Sequence, residues 1–180
     1  TCPVCGGVVR PRALESNQRA PHFAHLPKSP CTDDWHSDMS DWHYNWQNRF
    51  PIECREVVLE HDGVKHRADI LIEDKKRVIE FQHSPISAKD FYARNEFYSA
   101  CGYRVIWVFD ITEKWTSVRT TPPEDACISW YNRPQYLKNY SQDDGYSLFL
   151  QKDSSMFWVF YECNEMFHYF ESGFDMTPEM

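Results

Sequence analysis

The chain has 180 residues, 42 % of them apolar and 16 % aromatic, with a formal net charge of −8. That length admits one compact domain, or one with a small attachment. The acidic balance excludes a protein that coats nucleic acid through surplus Lys and Arg. It does not exclude a metal-dependent enzyme acting on nucleic acid, because a bound cation supplies local charge that a residue count omits.

No run of about 18 apolar residues occurs, so no membrane span is expected. Thr1-Cys2-Pro3-Val4-Cys5 carries neither a basic segment nor an apolar one of the secretory type. The seven cysteines are odd in number, and three fall within the first 31 residues. A reducing, cytoplasmic setting with a metal site suits that pattern better than a disulfide framework.

Residues 1–32 read as a knuckle with little periodicity. Cys2-x-x-Cys5 offers two thiolates on one turn, and tetrahedral zinc needs two more ligands. His25 and Cys31 are the expected second pair, because Phe23-Ala24-His25 and the Pro-containing loop to Cys31 look like the second half of a zinc ribbon. His22 with His25 is the alternative. Such a four-ligand site is structural.

A helix is expected over residues 40–50, with Ser40 as N-cap, Trp42, Trp46 and Phe50 on one face, and Pro51 ending it. His43 and Gln47, four apart, share a stripe beside the Trp face. They belong either to a catalytic cleft or to a plain helix surface. Residues 53–60 read as a strand, and His61-Asp62-Gly63-Val64 as a turn. Two more strands, 66–73 and 77–83, flank Asp74-Lys75-Lys76 and should form a hairpin.

That hairpin brings Asp69 and Glu80 close together, each within an otherwise apolar strand. Two neighbouring carboxylates repel unless a cation lies between them, and a Mg²⁺ or Mn²⁺ site answers both facts. Gln82 leaves the same face as Glu80 and is placed to orient the attacking water. The plainer alternatives are a salt bridge from Asp69 to Arg67 and a solvated, edge-strand Glu80. His83 is placed to reach substrate or to cap its strand.

Ser87-Ala88-Lys89-Asp90 has capping-box spacing and opens a helix to about Ala100, with Gly102 as its stop. On that helix Arg94 and Tyr98, four apart, either contact phosphate or pair with acids. His36 and His66 are weaker candidates. Residues 103–109 form an almost wholly apolar run, as in a strand buried on both faces. Residues 112–145 are not assigned, and 147–152 with 156–162 are expected to form a late hairpin.

Taken together, Cys-Pro-x-Cys, Pro21-His22-Phe23-Ala24-His25, His66-Arg67-Ala68-Asp69-Ile70, Ile79-Glu80-Phe81-Gln82-His83-Ser84, Ile86-Ser87, Arg94 to Tyr98 and Val105-Ile106-Trp107 resemble the CoiA-like competence protein family. That family belongs to the PD-(D/E)XK nuclease superfamily. The resemblance covers about residues 2–109. It implies an α/β, restriction-endonuclease-like fold, a mixed sheet flanked by helices, with a Mg²⁺-dependent site. The superfamily's Asp and Glu fall on Asp69 and Glu80, and its Lys position falls on Gln82. The helical acid of similar proteins falls on Met39, four residues before His43, and a following Lys falls on Gln47.

Three regions are therefore expected: a zinc knuckle (1–32), a nuclease-like core (33–118) and a β-rich C-terminal extension (119–180). The leading function is metal-dependent hydrolysis of DNA in uptake, recombination or defence against foreign DNA. The alternatives are a catalytically inactive module of the same fold that binds DNA or a protein, and a zinc-stabilised interaction domain. The C-terminal aromatics are expected to serve as core or as an interface with a partner or a second copy.

Overall fold

The computed structural model describes residues 1–15, 22–26, 31, 39–112, 118–120, 127–130, 133–163 and 166–172. His36 lies outside these, as does the His22 side chain. Two short strands, β1 (Val9–Arg12) and β2 (His22–His25), form an antiparallel pair of their own.

A nine-stranded sheet makes up most of the rest. Its strands are β3 (Arg55–His61), β4 (Val64–Ile72), β5 (Arg77–Gln82), β6 (Arg104–Asp110), β7 (Val118–Thr120), β8 (Cys127–Trp130), β9 (Tyr146–Lys152), β10 (Ser155–Cys163) and β11 (Met166–Ser172). The order across it is β3-β4-β5-β6-β9-β10-β11-β8-β7. The β5–β6 and β6–β9 pairs are parallel and the others antiparallel, so the sheet is mixed. No helix among the described residues is long and apolar enough to cross a membrane.

Local sequence accounts for the connections. Asp62 and Gly63 both take positive φ, 48° and 77°, as a two-residue type I′ hairpin requires. Helix α1 (Asp41–Gln47) starts where Ser40 Oγ accepts the His43 N–H at 3.2 Å. It ends three residues before the expected stop. Before β3 the chain makes a 3₁₀ turn, Ile52–Cys54, pinned by Arg55 Nε donating to the Phe50 carbonyl at 2.7 Å. The strand expected from residue 53 therefore begins at Arg55.

Helix α2 (Ala88–Ala100) is capped by Ser87, whose Oγ accepts the Asp90 N–H at 3.1 Å. It closes with Gly102 at φ 86° and Tyr103 N–H on the Tyr98 carbonyl at 2.9 Å, a Schellman ending. As the connection between parallel β5 and β6, it lies against one face of the sheet.

The two helices cover opposite faces. On the α2 side, Phe91 and Tyr98 join Ala68, Val78, Val105, Trp107, Leu148 and Phe157 in the larger core. On the α1 side, Trp46 and Phe50 pack on Ile70, Ile72, Ile79, Phe81 and Val108. Gln151 Oε1 anchors α1 by accepting both indole N–H groups, Trp42 at 2.9 Å and Trp46 at 2.7 Å.

Side-chain alternation shifts along β4. Ala68 belongs to the α2-side core, whereas Ile70 and Ile72 belong to the α1 side. Opposite the shift, Glu56 takes φ 51°. Asp69 sits at this irregularity.

The region from residue 119 onward is continuous with the nuclease-like core. Its strands β8 to β11 extend the same sheet, and β9 pairs directly with β6. The late hairpin forms as β9–β10. Phe157, Phe167 and Tyr169 are core residues. In the unassigned stretch, Leu137 and Tyr140 add to the same core beside a 3₁₀ turn, Gln135–Leu137.

Candidate functional site

The β4–β5 register pairs Ile70 with Ile79, which sets Asp69 and Glu80 at the next step of the hairpin. Their contacts diverge. Asp69 faces α1: His43 Nε2 lies 3.2 Å from its Oδ1, and the Phe81 N–H donates to its Oδ2 at 2.8 Å. Glu80 faces α2: Arg94 Nη1 donates to Oε2 at 2.7 Å and the Tyr98 hydroxyl to Oε1 at 2.7 Å. At 2 % exposure Glu80 is buried, not a solvated edge residue. Arg67 pairs with Glu56 at 2.8 Å, so the alternative Asp69–Arg67 bridge gives way to Asp69–His43.

Burial and charge act against each other here. Burial would raise Asp69, but the His43 charge and hydrogen bond, the Phe81 N–H and Arg94 hold it below the usual carboxylate range. Burial would lower His43, but Asp69 outweighs it and raises the imidazole. Burial first, and then the Asp69 charge, push Glu80 up to about 7, against Arg94 and Tyr98. Tyr98, also buried, is raised well above the ordinary phenol value and stays a donor.

The remaining candidates divide. Gln47 is buried and its Nε2 lies 3.1 Å from His43 Nε2, so the two residues of the expected stripe meet beside Asp69. Gln82 shares the buried face with Glu80, and its amide Nε2 donates to the Ser84 carbonyl. That leaves Oε1, an acceptor, as its outward group. His83 bonds Asp110 rather than a backbone group of its own turn. His66 packs edge-on against Phe97 at 4.7 Å in a structural position.

Sequence reading missed Asp110 and Gln151. Asp110 had a signal: an acid closing an apolar parallel strand, at the sheet end where ligands bind.

The second centre lies in the knuckle. Cys2, Cys5, His25 and Cys31 bring one ligand atom each to within 4.8 Å of one another, the expected set, and can bind zinc. Cys5 Sγ lies 3.3 Å from His25 Nε2 and accepts the Gly7 N–H at 3.3 Å. Burial would raise the Cys2 thiol, but the Cys5 and Val4 N–H groups and the neighbouring thiols bring it below its ordinary value, toward the ligating thiolate.

A mixed sheet with a helix on each face, and paired acids where an antiparallel hairpin meets a parallel strand, defines a nuclease-like α/β protein. The family model described as the nuclease-like domain of competence protein CoiA matches residues 41–168, and the chain belongs to that family. Comparison with curated proteins and with solved structures returns no match.

Proposed function

We propose that the protein is a Mg²⁺- or Mn²⁺-dependent deoxyribonuclease with Asp69 and Glu80 as the metal ligands. One observation carries the reading: Glu80 is buried beside Asp69 and raised to about 7 although Arg94 and Tyr98 both bond it. Beyond the partners His43 and Arg94, a divalent ion between the two carboxylates would supply further compensating charge.

The donor set fits. Each of the four carboxylate oxygens holds one contact and keeps a further lone pair. Hard oxygen donors completed by water suit Mg²⁺ and Mn²⁺. When bound, the ion would activate water and neutralise charge on the phosphate.

The protein groups have separate tasks in this reading. Arg94 and Tyr98 hold Glu80 in place. His43 and the Phe81 N–H aim Asp69. Gln82 accepts a hydrogen bond from the water through Oε1. The knuckle binds zinc as a staple and contacts the DNA strand. DNA is the main partner, in the cytoplasm, in uptake, recombination or defence against foreign DNA. A protein partner or a second copy is a further expectation.

A second reading has its own support: His43 and Arg94 already partner both carboxylates, as in a non-catalytic module that keeps the fold. Cleavage of single-stranded and duplex DNA with Mg²⁺, Mn²⁺ or EDTA decides between them. The expected outcome is metal-dependent cleavage, lowered by about 100-fold or more in Asp69→Ala and Glu80→Ala. Cleavage surviving both substitutions would remove the proposed centre. DNA binding with no cleavage under any metal would establish the second reading.

A further inference from the structure

We infer that His83 is the proton acceptor for the attacking water and that Asp110 is its positioning residue, an assignment that rests on the nuclease reading above. The parallel β5–β6 pairing runs to Gln82 and Phe109, so His83 and Asp110 are the next residues, at the C-terminal end of both strands. Asp110 is 5 % exposed, a position at which a carboxylate needs partners. Its Oδ2 lies 2.7 Å from His83 Nδ1, and its Oδ1 accepts the Thr112 N–H at 2.9 Å. Trp42 of α1 stacks on the imidazole at 5.8 Å with a 28° tilt.

The ring is therefore held by a strand on one side and a helix on the other, with Nδ1 engaged. Donation from Nδ1–H to Asp110 selects the tautomer whose Nε2 is an acceptor. The side chain is 20 % exposed, so that acceptor sits at the rim of the centre rather than in the core.

Its position suits the task. Asp69 is bonded to the Phe81 N–H, and His83 follows two residues further along the chain, just past the end of β5. The other groups at the centre are committed: the Gln82 amide to Ser84, Arg94 to Glu80, and His43 to Asp69.

In the step, a water O–H bond breaks and its proton goes to His83 Nε2. The water oxygen bonds to phosphorus, the bond from phosphorus to the leaving sugar oxygen breaks, and that oxygen takes a proton from solvent. The imidazolium, faced by Asp110, then returns its proton to solvent. The titratable group bonded to His83 is Asp110 on β6.

The test measures single-turnover cleavage with Mn²⁺ across pH for wild type, His83→Gln and Asp110→Asn, with zinc content and thermal unfolding as folding controls. His83→Gln should lower kcat by about 10²-fold or more with KM little changed. Asp110→Asn should lower kcat less, and Asp110→Glu should recover part of the loss. Unchanged cleavage in His83→Gln overturns the base, and so does a raised KM with kcat retained, the mark of a phosphate contact.

Imidazole nitrogen NMR reads the same dyad without turnover. The Nδ1-protonated tautomer is expected in wild type and should be lost in Asp110→Asn, whereas an Nε2-protonated tautomer in wild type overturns the assignment. A wild type that never cleaves overturns the nuclease reading and this base with it. A wild type that cleaves with no effect of His83→Gln overturns the base alone.

Discussion

The two candidate metal centres are built in opposite ways. The knuckle gathers three thiols and an imidazole around a pair of four-residue strands, with Val8, Leu14 and Phe23 all exposed. The carboxylate centre sits between two apolar cores, and each of its acids already holds two donors. A segment whose described apolar residues are largely exposed needs a cross-link, and an ion bound by soft ligands would supply one. A buried acid pair needs compensating charge, which protein cations provide and to which a divalent ion would add in the proposed reading. In the proposed reading, zinc in the first centre would contribute to folding, and a divalent ion in the second to chemistry.

The largest effect expected from this contrast is loss of zinc. Binding at such a site contributes on the order of 10 kcal/mol to local folding. Chelation, or Cys2→Ser with Cys5→Ser, should release about one zinc per chain and expose the knuckle to protease. Unfolding of the nine-stranded sheet should hardly change. An ordered, protease-resistant knuckle without zinc would erase the contrast.

Next in size is Arg94→Met. It leaves Glu80 buried without its cation and should cost about 3–5 kcal/mol in urea unfolding at pH 8 with EDTA. Saturating Mn²⁺ should recover part of that loss. No recovery would mean that Glu80 is not a ligand.

A smaller effect is a slope of stability with pH. Glu80 titrates near 7 in the folded protein against an ordinary 4.5, so the folded state holds this proton more tightly than the unfolded chain does. Stability with EDTA should therefore fall as pH rises from about 4.5 through 7, by about 3 kcal/mol in total. His43, also raised, adds to the loss at higher pH, because its contribution is present below the ordinary imidazole value and disappears above its raised one. Asp69, lowered, contributes in the other direction, and its share disappears only as pH falls into the acid range. Glu80→Gln should flatten the slope. A slope that survives the substitution would place its origin in His43 or elsewhere.

Features built from neighbours in the chain were legible early. The Ser40 and Ser87 caps, the Asp62-Gly63 turn and the Gly102 stop each need only a few adjacent residues. The β4–β5 hairpin follows from two apolar runs about a charged loop, and it carries Asp69 and Glu80 together. Family resemblance added the roles of those acids, and the 41–168 match confirmed the family.

Other features were not legible, because no local pattern encodes them. Arg94 and Tyr98 were open to phosphate or to acids, and only packing of α2 on the sheet turned both onto Glu80. Arg67 looked like a partner for Asp69 by spacing, but the β3 pairing gave it Glu56. The strands around 118–130 escaped notice because elements of three and four residues carry little pattern.

By itself, then, the chain's sequence determined the α/β order of elements, the caps and turns, the thiol and imidazole set of the knuckle, and the presence of two acids inside apolar strands. Tertiary structure decided which groups face those acids, that His83 meets Asp110, and that the last strands extend the core sheet. The physical reason is reach. Caps, hairpins and alternation depend on backbone geometry over a few residues. The bond between Trp42 and Gln151 joins groups 109 positions apart and exists only once the sheet has assembled.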